Sequence, residues 1–195
     1  GHGSHVAGTV GALDNEEGVV GVAPGVRLWA VKVLKRGGTG SFSDIIAGID
    51  WVTATRNPES EDYDPLNEIH VANMSLGGVG DQPALRTAIQ NSVAAGVVYV
   101  VSAGNSGADI FGQDGKLGGG DDTIPAAYPE VATISALADY DGEPGGLMGG
   151  ADDTFASFSN FASSSDGIDL MLPGVNIYST YKDGGYATMS GTSMA

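Results

Sequence analysis

Apolar residues recur along this chain at two alternating periods. Phe42, Ile45, Ile46, Ile49 and Val52 fall at three- and four-residue intervals within Ser41–Arg56. That spacing predicts an amphipathic helix with Ser41 or Ser43 as its N-cap. Gln82–Ala95 repeats it through Leu85, Ala88, Ile89 and Val93, and Gly96 supplies a stop. Strand-like runs alternate with these helices: Arg27–Leu34, Ile69–Met74, Val97–Val101, Val131–Leu137 and Val175–Thr180. Val97–Val101 is continuously apolar, which predicts a strand covered on both faces. Strand–helix–strand–helix–strand order implies an α/β fold with a mainly parallel sheet and helices on both of its faces.

Such sheets gather their chemistry at the carboxyl ends of strands. Two segments occupy that position: Ser75-Leu76-Gly77-Gly78 and Ser102-Ala103-Gly104-Asn105. The 195 residues suit one domain with a sizeable core, and no linker or internal repeat divides them. Glycine, at 32 residues without a period of three, reads as loop rather than collagen. The absence of cysteine excludes disulfides, thiolate metal sites and thiol catalysis. The longest mostly apolar run, Val93–Ala103, covers about half of a membrane span, so no transmembrane helix is expected. A net charge of −16 disfavours nucleic acid and anionic membranes as partners. More than half of the 24 acidic residues crowd into Asn57–His70, Asn105–Thr123 and Asp139–Asp153. These stretches read first as solvated loops, with cation binding as the alternative.

Three motifs then carry chemistry in chain order: Gly1-His2-Gly3-Ser4-His5-Val6-Ala7-Gly8-Thr9, Ser102-Ala103-Gly104-Asn105 and Gly191-Thr192-Ser193-Met194-Ala195. A serine hydroxyl becomes nucleophilic when a neighbouring imidazole takes its proton, and a carboxylate holds that imidazole in the right tautomer. His before Ser excludes the α/β-hydrolase order, in which Ser comes first. Together with Gly21-Val22-Ala23-Pro24, Ala30-Val31-Lys32-Val33-Leu34, Asn73–Gly78, Ala156–Ser159 and Pro173-Gly174-Val175, these motifs closely resemble the subtilisin-like serine peptidases, the subtilases. The resemblance covers nearly the whole chain. It implies His2 as general base, Ser193 as nucleophile at the start of a helix, and Asn105 as side-chain oxyanion donor. It places Ser75, Leu76 and Gly77 on one wall of a peptide cleft, and Ala103 and Gly104 on the other. Small walls imply a large apolar or aromatic side chain as substrate, and Ser106 gives no support to a basic one. His5 is expected to pack beneath the site, and Met194 to confer oxidant sensitivity.

The resemblance also implies structural Ca²⁺. One loop would supply the carbonyls of Leu13, Glu17 and Val19 and the side chain of Asn15. Oxygen ligands suit this hard cation. A weaker cation site maps to the carbonyls of Ala126, Tyr128 and Val131, with Asp169 nearby. The Asp-x-Asp-Gly run at Asp139–Gly142 hints at another, without the distal Glu of an EF-hand loop.

The expected protein is therefore a secreted, monomeric serine endopeptidase acting on proteins or peptides, made with an N-terminal propeptide. The triad Asp is expected upstream of Gly1 and further helices beyond Ala195, so that residues 1–195 form a partial catalytic domain, inactive alone. A non-catalytic calcium-binding domain of this fold and a selective processing peptidase are the alternatives.

Overall fold

The computed structural model describes residues 1–142 and 152–195. Part of the third acidic stretch, including Glu143 and the Gly145-Gly146 and Gly149-Gly150 pairs, lies outside the described residues. In chain order the elements are α1 (His2–Gly11), α2 (Phe42–Ala54), β1 (Val71–Met74), β2 (Gly78–Val79), α3 (Pro83–Ala94), β3 (Val98–Ser102), β4 (Thr123–Ile124), β5 (Ala132–Ala138), β6 (Thr154–Phe155), β7 (Leu170–Pro173), β8 (Ile177–Thr180) and β9 (Tyr186–Met189).

β1, β3, β5 and β7 run parallel. The first half of β5 pairs with β3 through Val100↔Ala132, and its last two residues pair antiparallel with β6 through Ala138↔Thr154. β2 and β4 form one antiparallel ribbon, and β8 and β9 another. The architecture is α/β with a mainly parallel sheet.

α2 begins where the sequence predicts. Ser41 accepts the Asp44 N–H, and Asp44 reaches back to Ser41, closing a capping box. Its Ile45, Ile49 and Val52 join Leu85, Ala88 and Ile89 of α3 and Met74, Tyr99 and Val101 of the strands in one buried cluster. On α3 the buried stripe ends at Ser92 rather than at Val93, which is 37% exposed. The Tyr99 hydroxyl donates to Ser92 Oγ at 2.8 Å, so a polar position is satisfied inside the core. Gly96 follows α3 with φ +92, where a side chain would be strained.

Two expectations are corrected. Arg27–Leu34 is no strand among the described residues, because its backbone lies beside no ladder partner. Its side chains still seat on α2: Trp29 meets Trp51 with ring centroids 6.1 Å apart, and Val31 and Val33 lie over Gly48. β3 is covered on one face only. Tyr99 and Val101 are buried, whereas Val98 is 55% exposed and Val100 half-buried. The open face continues onto Val71, the register partner of Val98.

Candidate active site

α1 is a poor helix by composition, with Gly3, Gly8 and Gly11 among ten residues. Tertiary contacts hold it. The Ser179 hydroxyl donates to His5 O at 2.8 Å, and that of Thr180 to Ser4 O at 2.8 Å. His5 is fully buried, and its Nε2 lies 3.0 Å from Ile177 O and 3.1 Å from Ala187 O. Two carbonyls facing one ring nitrogen require that nitrogen to carry the proton. His5 therefore clamps α1 onto the β8–β9 ribbon, three positions along the helix from His2, as a structural residue. His2, at the exposed start of α1, has its pKa lowered, first by desolvation and then by the charge of His5.

The Gly191–Ala195 segment is tied to the other two strand ends. Asn105 Oδ1 accepts the Thr192 N–H at 2.8 Å and the Thr192 hydroxyl at 3.0 Å. Thr192 Oγ1 in turn accepts the Gly104 N–H at 3.1 Å. The Ser75 hydroxyl donates to Ser193 O at 3.2 Å. With Oδ1 engaged, the exposed Asn105 amide presents Nδ2 as its donor beside Gly191. Ser193 sits in a turn closed by Met194 N–H to Gly191 O at 3.0 Å, rather than at the start of a helix. The structure thus brings Asn105, Gly104, Ser75 and Ser193 together. The helix that carries His2 is anchored to β8 at Ser179 and Thr180, and among the described residues no hydrogen bond joins His2 to Ser193 or to a carboxylate.

The residues expected to wall a cleft lie just after strand ends. Ser75, Leu76 and Gly77 continue β1 outside any ladder, and a Cβ on Gly77 would press on Ile124 O. Ala103 is buried, and Gly104 has φ +106 with Asn160 against its α-carbon. Asn160 is a residue the sequence reading missed. It is 2% exposed; its Oδ1 accepts Ser106 N–H and Ala108 N–H, and its Nδ2 donates to Ala103 O. It holds the loop on both sides of Asn105, and no local motif announces it. A cavity of about 290 Å³ beside β2 and β4 is lined by Ser106, Asp109, Gln113, Asp121 and Thr123. Burial raises the Asp109 pKa, but hydrogen bonds from Ser163 and Phe111 outweigh it and hold the carboxyl below its ordinary value.

Over this whole length the peptidase S8 model, described as the subtilase family, matches residues 1–195. The chain belongs to the subtilase family. It is 40% identical to Subtilisin DY of Bacillus licheniformis over 195 residues, covering all of this chain and 59% of that protein. Subtilisin Savinase of Lederbergia lenta is 37% identical, with 58% of it covered. Among solved structures, a cold-adapted subtilisin-like serine proteinase superposes with TM-score 0.74 at 38% identity, over all of this chain and 56% of its own. The S41 Psychrophilic Protease gives 0.76 at 33% identity, over all of this chain and 59% of its own. This subtilase chain thus spans under two thirds of each of these relatives.

The residues expected to hold calcium fall in two places. Leu13, Asn15, Glu17 and Val19 line a turn after α1, where Asn15 Oδ1 accepts the Glu17 N–H at 3.2 Å and Gly18 abuts Tyr186. Ala126, Tyr128, Val131 and Asp169 share a cavity of about 180 Å³ with Asp166 and Thr133. Both donor sets are oxygen only, which suits Ca²⁺. In the second, the Thr133 hydroxyl donates to Ala126 O at 2.6 Å and Thr133 N–H to Asp169 Oδ2 at 2.7 Å, leaving further lone pairs on each acceptor. No helix of the described residues is long and apolar enough to cross a membrane.

Proposed function

We propose that the subtilase containing this chain is a serine endopeptidase in which His2 deprotonates Ser193. Ser193 Oγ attacks the scissile carbonyl, and the developing oxyanion is met by Asn105 Nδ2 and the Ser193 N–H. His2 returns the proton to the leaving amine; water then attacks the acyl-enzyme, again with His2 as base. The observation that carries this reading is the Asn105–Thr192 pair. By accepting two hydrogen bonds from the residue before Ser193, Asn105 Oδ1 turns the amide donor toward the nucleophile's turn. Ser75–Gly77 and Ala103–Gly104 line the peptide cleft, where backbone pairing gives affinity with little demand on sequence. Leu13, Asn15, Glu17 and Val19 hold structural Ca²⁺, and Ala126, Tyr128, Val131 and Asp169 a weaker cation. The protein is secreted and monomeric, made with an N-terminal propeptide, and takes protein or peptide substrates; its charge disfavours nucleic acid and membranes.

In the full-length protein, Ser193→Ala is expected to abolish fluorophosphonate labelling and casein hydrolysis. Labelling undiminished by that substitution would end this reading. Residues 1–195 expressed alone are expected to hydrolyse casein no faster than their Ser193→Ala variant, since among the described residues no carboxylate is hydrogen-bonded to His2.

One observation favours a narrower, basic specificity. Asp109 and Asp121 face the cavity next to Ser106. Asp121→Asn is then expected to lower the ratio of kcat/KM for Lys over Phe at the residue preceding the scissile bond by about two- to fivefold, the worth of a part-exposed ion pair. An unchanged ratio would leave the broad, apolar preference.

A further inference from the structure

We propose that Asp139, Asp141 and Asp152 form a Ca²⁺ site at the connected end of the β5–β6 pair, separate from the two sites above. Asp139 directly follows β5, and Asp152 stands two residues before β6. The Ala138↔Thr154 pairing brings these ends together. The three side chains each offer a carboxylate oxygen, and these oxygens lie within 4.8 Å of one another. Two oxygens bound to one Ca²⁺ at 2.3–2.6 Å can be at most about 5 Å apart, so one ion can bind all three.

Asp152 supplies an independent observation. It is 7% exposed, and its Oδ2 is buried with no hydrogen-bond partner. Its Oδ1 accepts the Tyr140 N–H at 2.7 Å, which fixes the carboxylate in place. A buried carboxylate oxygen without a donor is costly, and a cation is the partner that would offset that cost and the repulsion among three carboxylates at once. Asp139 is also held: its Oδ1 accepts Gly142 N–H at 2.7 Å and Asp141 N–H at 3.2 Å. Asp141 is exposed and closes the site from the solvent side. No imidazole or thiolate takes part, which disfavours zinc. Three carboxylates plus water or carbonyl oxygens satisfy the six to eight positions of Ca²⁺, whereas Mg²⁺ demands a tighter octahedron. The bound ion would cross-link the two ends of the segment that joins β5 to β6 and so stabilise the fold by mass action.

The test is calorimetric titration of the calcium-stripped protein with CaCl2. Asp152→Asn, which keeps the acceptor for Tyr140 N–H, is expected to bind one Ca²⁺ fewer than the wild type, with an unchanged circular-dichroism spectrum. Its calcium-free melting temperature should equal or exceed that of the calcium-free wild type, because a buried charge has been removed. Exposed Asp141→Asn, which leaves the core untouched, should weaken one Ca²⁺ by at least tenfold. Tb³⁺ excited through Tyr140 should luminesce in the wild type and lose that signal in Asp152→Asn. Equal stoichiometry in the wild type and both variants, or competition by Mg²⁺ at the same concentration as Ca²⁺, would overturn the proposal.

Discussion

Asn105 has a side chain with two ends, and Thr192 engages one of them, leaving Nδ2 for the proposed oxyanion. Thr192 is 3% exposed, and its hydroxyl both donates to Asn105 Oδ1 and accepts Gly104 N–H. Thr192→Val keeps the shape and removes both bonds. It should lower kcat by about two- to tenfold with little change in KM, because Asn105 Oδ1 is then held by the Thr192 N–H alone and the looser amide loses stabilisation only in the transition state. It should also cost about 1–3 kcal/mol of stability, since Gly104 N–H is left unpaired. Thr192→Ser should restore both; a Val variant with wild-type kcat would show that Asn105 needs no such support. Asn105→Ala should cost about 10²–10³-fold in kcat, the loss a subtilisin shows on losing this donor. His2 gives a pH test. Its pKa is lowered from the ordinary 6.5, with burial the main cause. The folded chain therefore binds fewer protons at His2 than the unfolded chain just below pH 6.5, and stability rises with pH through that window. A proton NMR titration of the His2 ring in residues 1–195 should give a midpoint below 6.5. A midpoint above it would mean that a carboxylate partners the imidazole.

At the scale of elements, legibility in the sequence followed whether the local code and the packing agreed. α2 was readable because Ser41 and Asp44 cap it and its apolar stripe is its buried stripe. The parallel strands β1, β3 and β5 were readable to within two residues as β-branched runs. Arg27–Leu34 has the same composition, but a strand also needs a neighbour, which no composition can report. α1 was invisible as a helix for the opposite reason: its three glycines argue against it, and Ser179, Thr180 and His5 hold it regardless. The motif residues His2, Asn105 and Ser193 stood out as candidates because the proposed chemistry demands those side chains. Asn160 could not, because its partners Ala103, Ser106 and Ala108 are about 50 residues away. Gly8 decides the packing of α1. A Cβ there would overlap Thr180 Oγ1 and Ser179 Oγ, the groups that anchor the helix. Gly8→Ala gains about 1 kcal/mol of helix propensity but must displace both hydroxyls. The expected net effect is destabilisation by about 1–3 kcal/mol, seen as a lower midpoint in urea; a higher midpoint would show that the ribbon yields easily.

Over the whole molecule two surface properties oppose each other. The net charge of −16 makes copies repel. The open sheet face, with Val71 at 57%, Val98 at 55% and Leu170 at 56% exposure, favours association. Repulsion acts over the Debye length, about 30 Å at 0.01 M salt and about 3 Å at 1 M, whereas apolar contact is strengthened rather than screened by salts such as sulfate. Residues 1–195 should therefore sediment as a monomer at low ionic strength and self-associate in 1 M sodium sulfate. Val98→Thr, which keeps a β-branched strand residue while adding a hydroxyl to that face, should move the onset of association to higher salt. If instead the acidic loops drive association through bridging cations, 5 mM CaCl2 at constant ionic strength would associate the chain and Val98→Thr would change nothing. A monomer under every one of these conditions would mean that the face is too small, or too well hydrated, to overcome the charge.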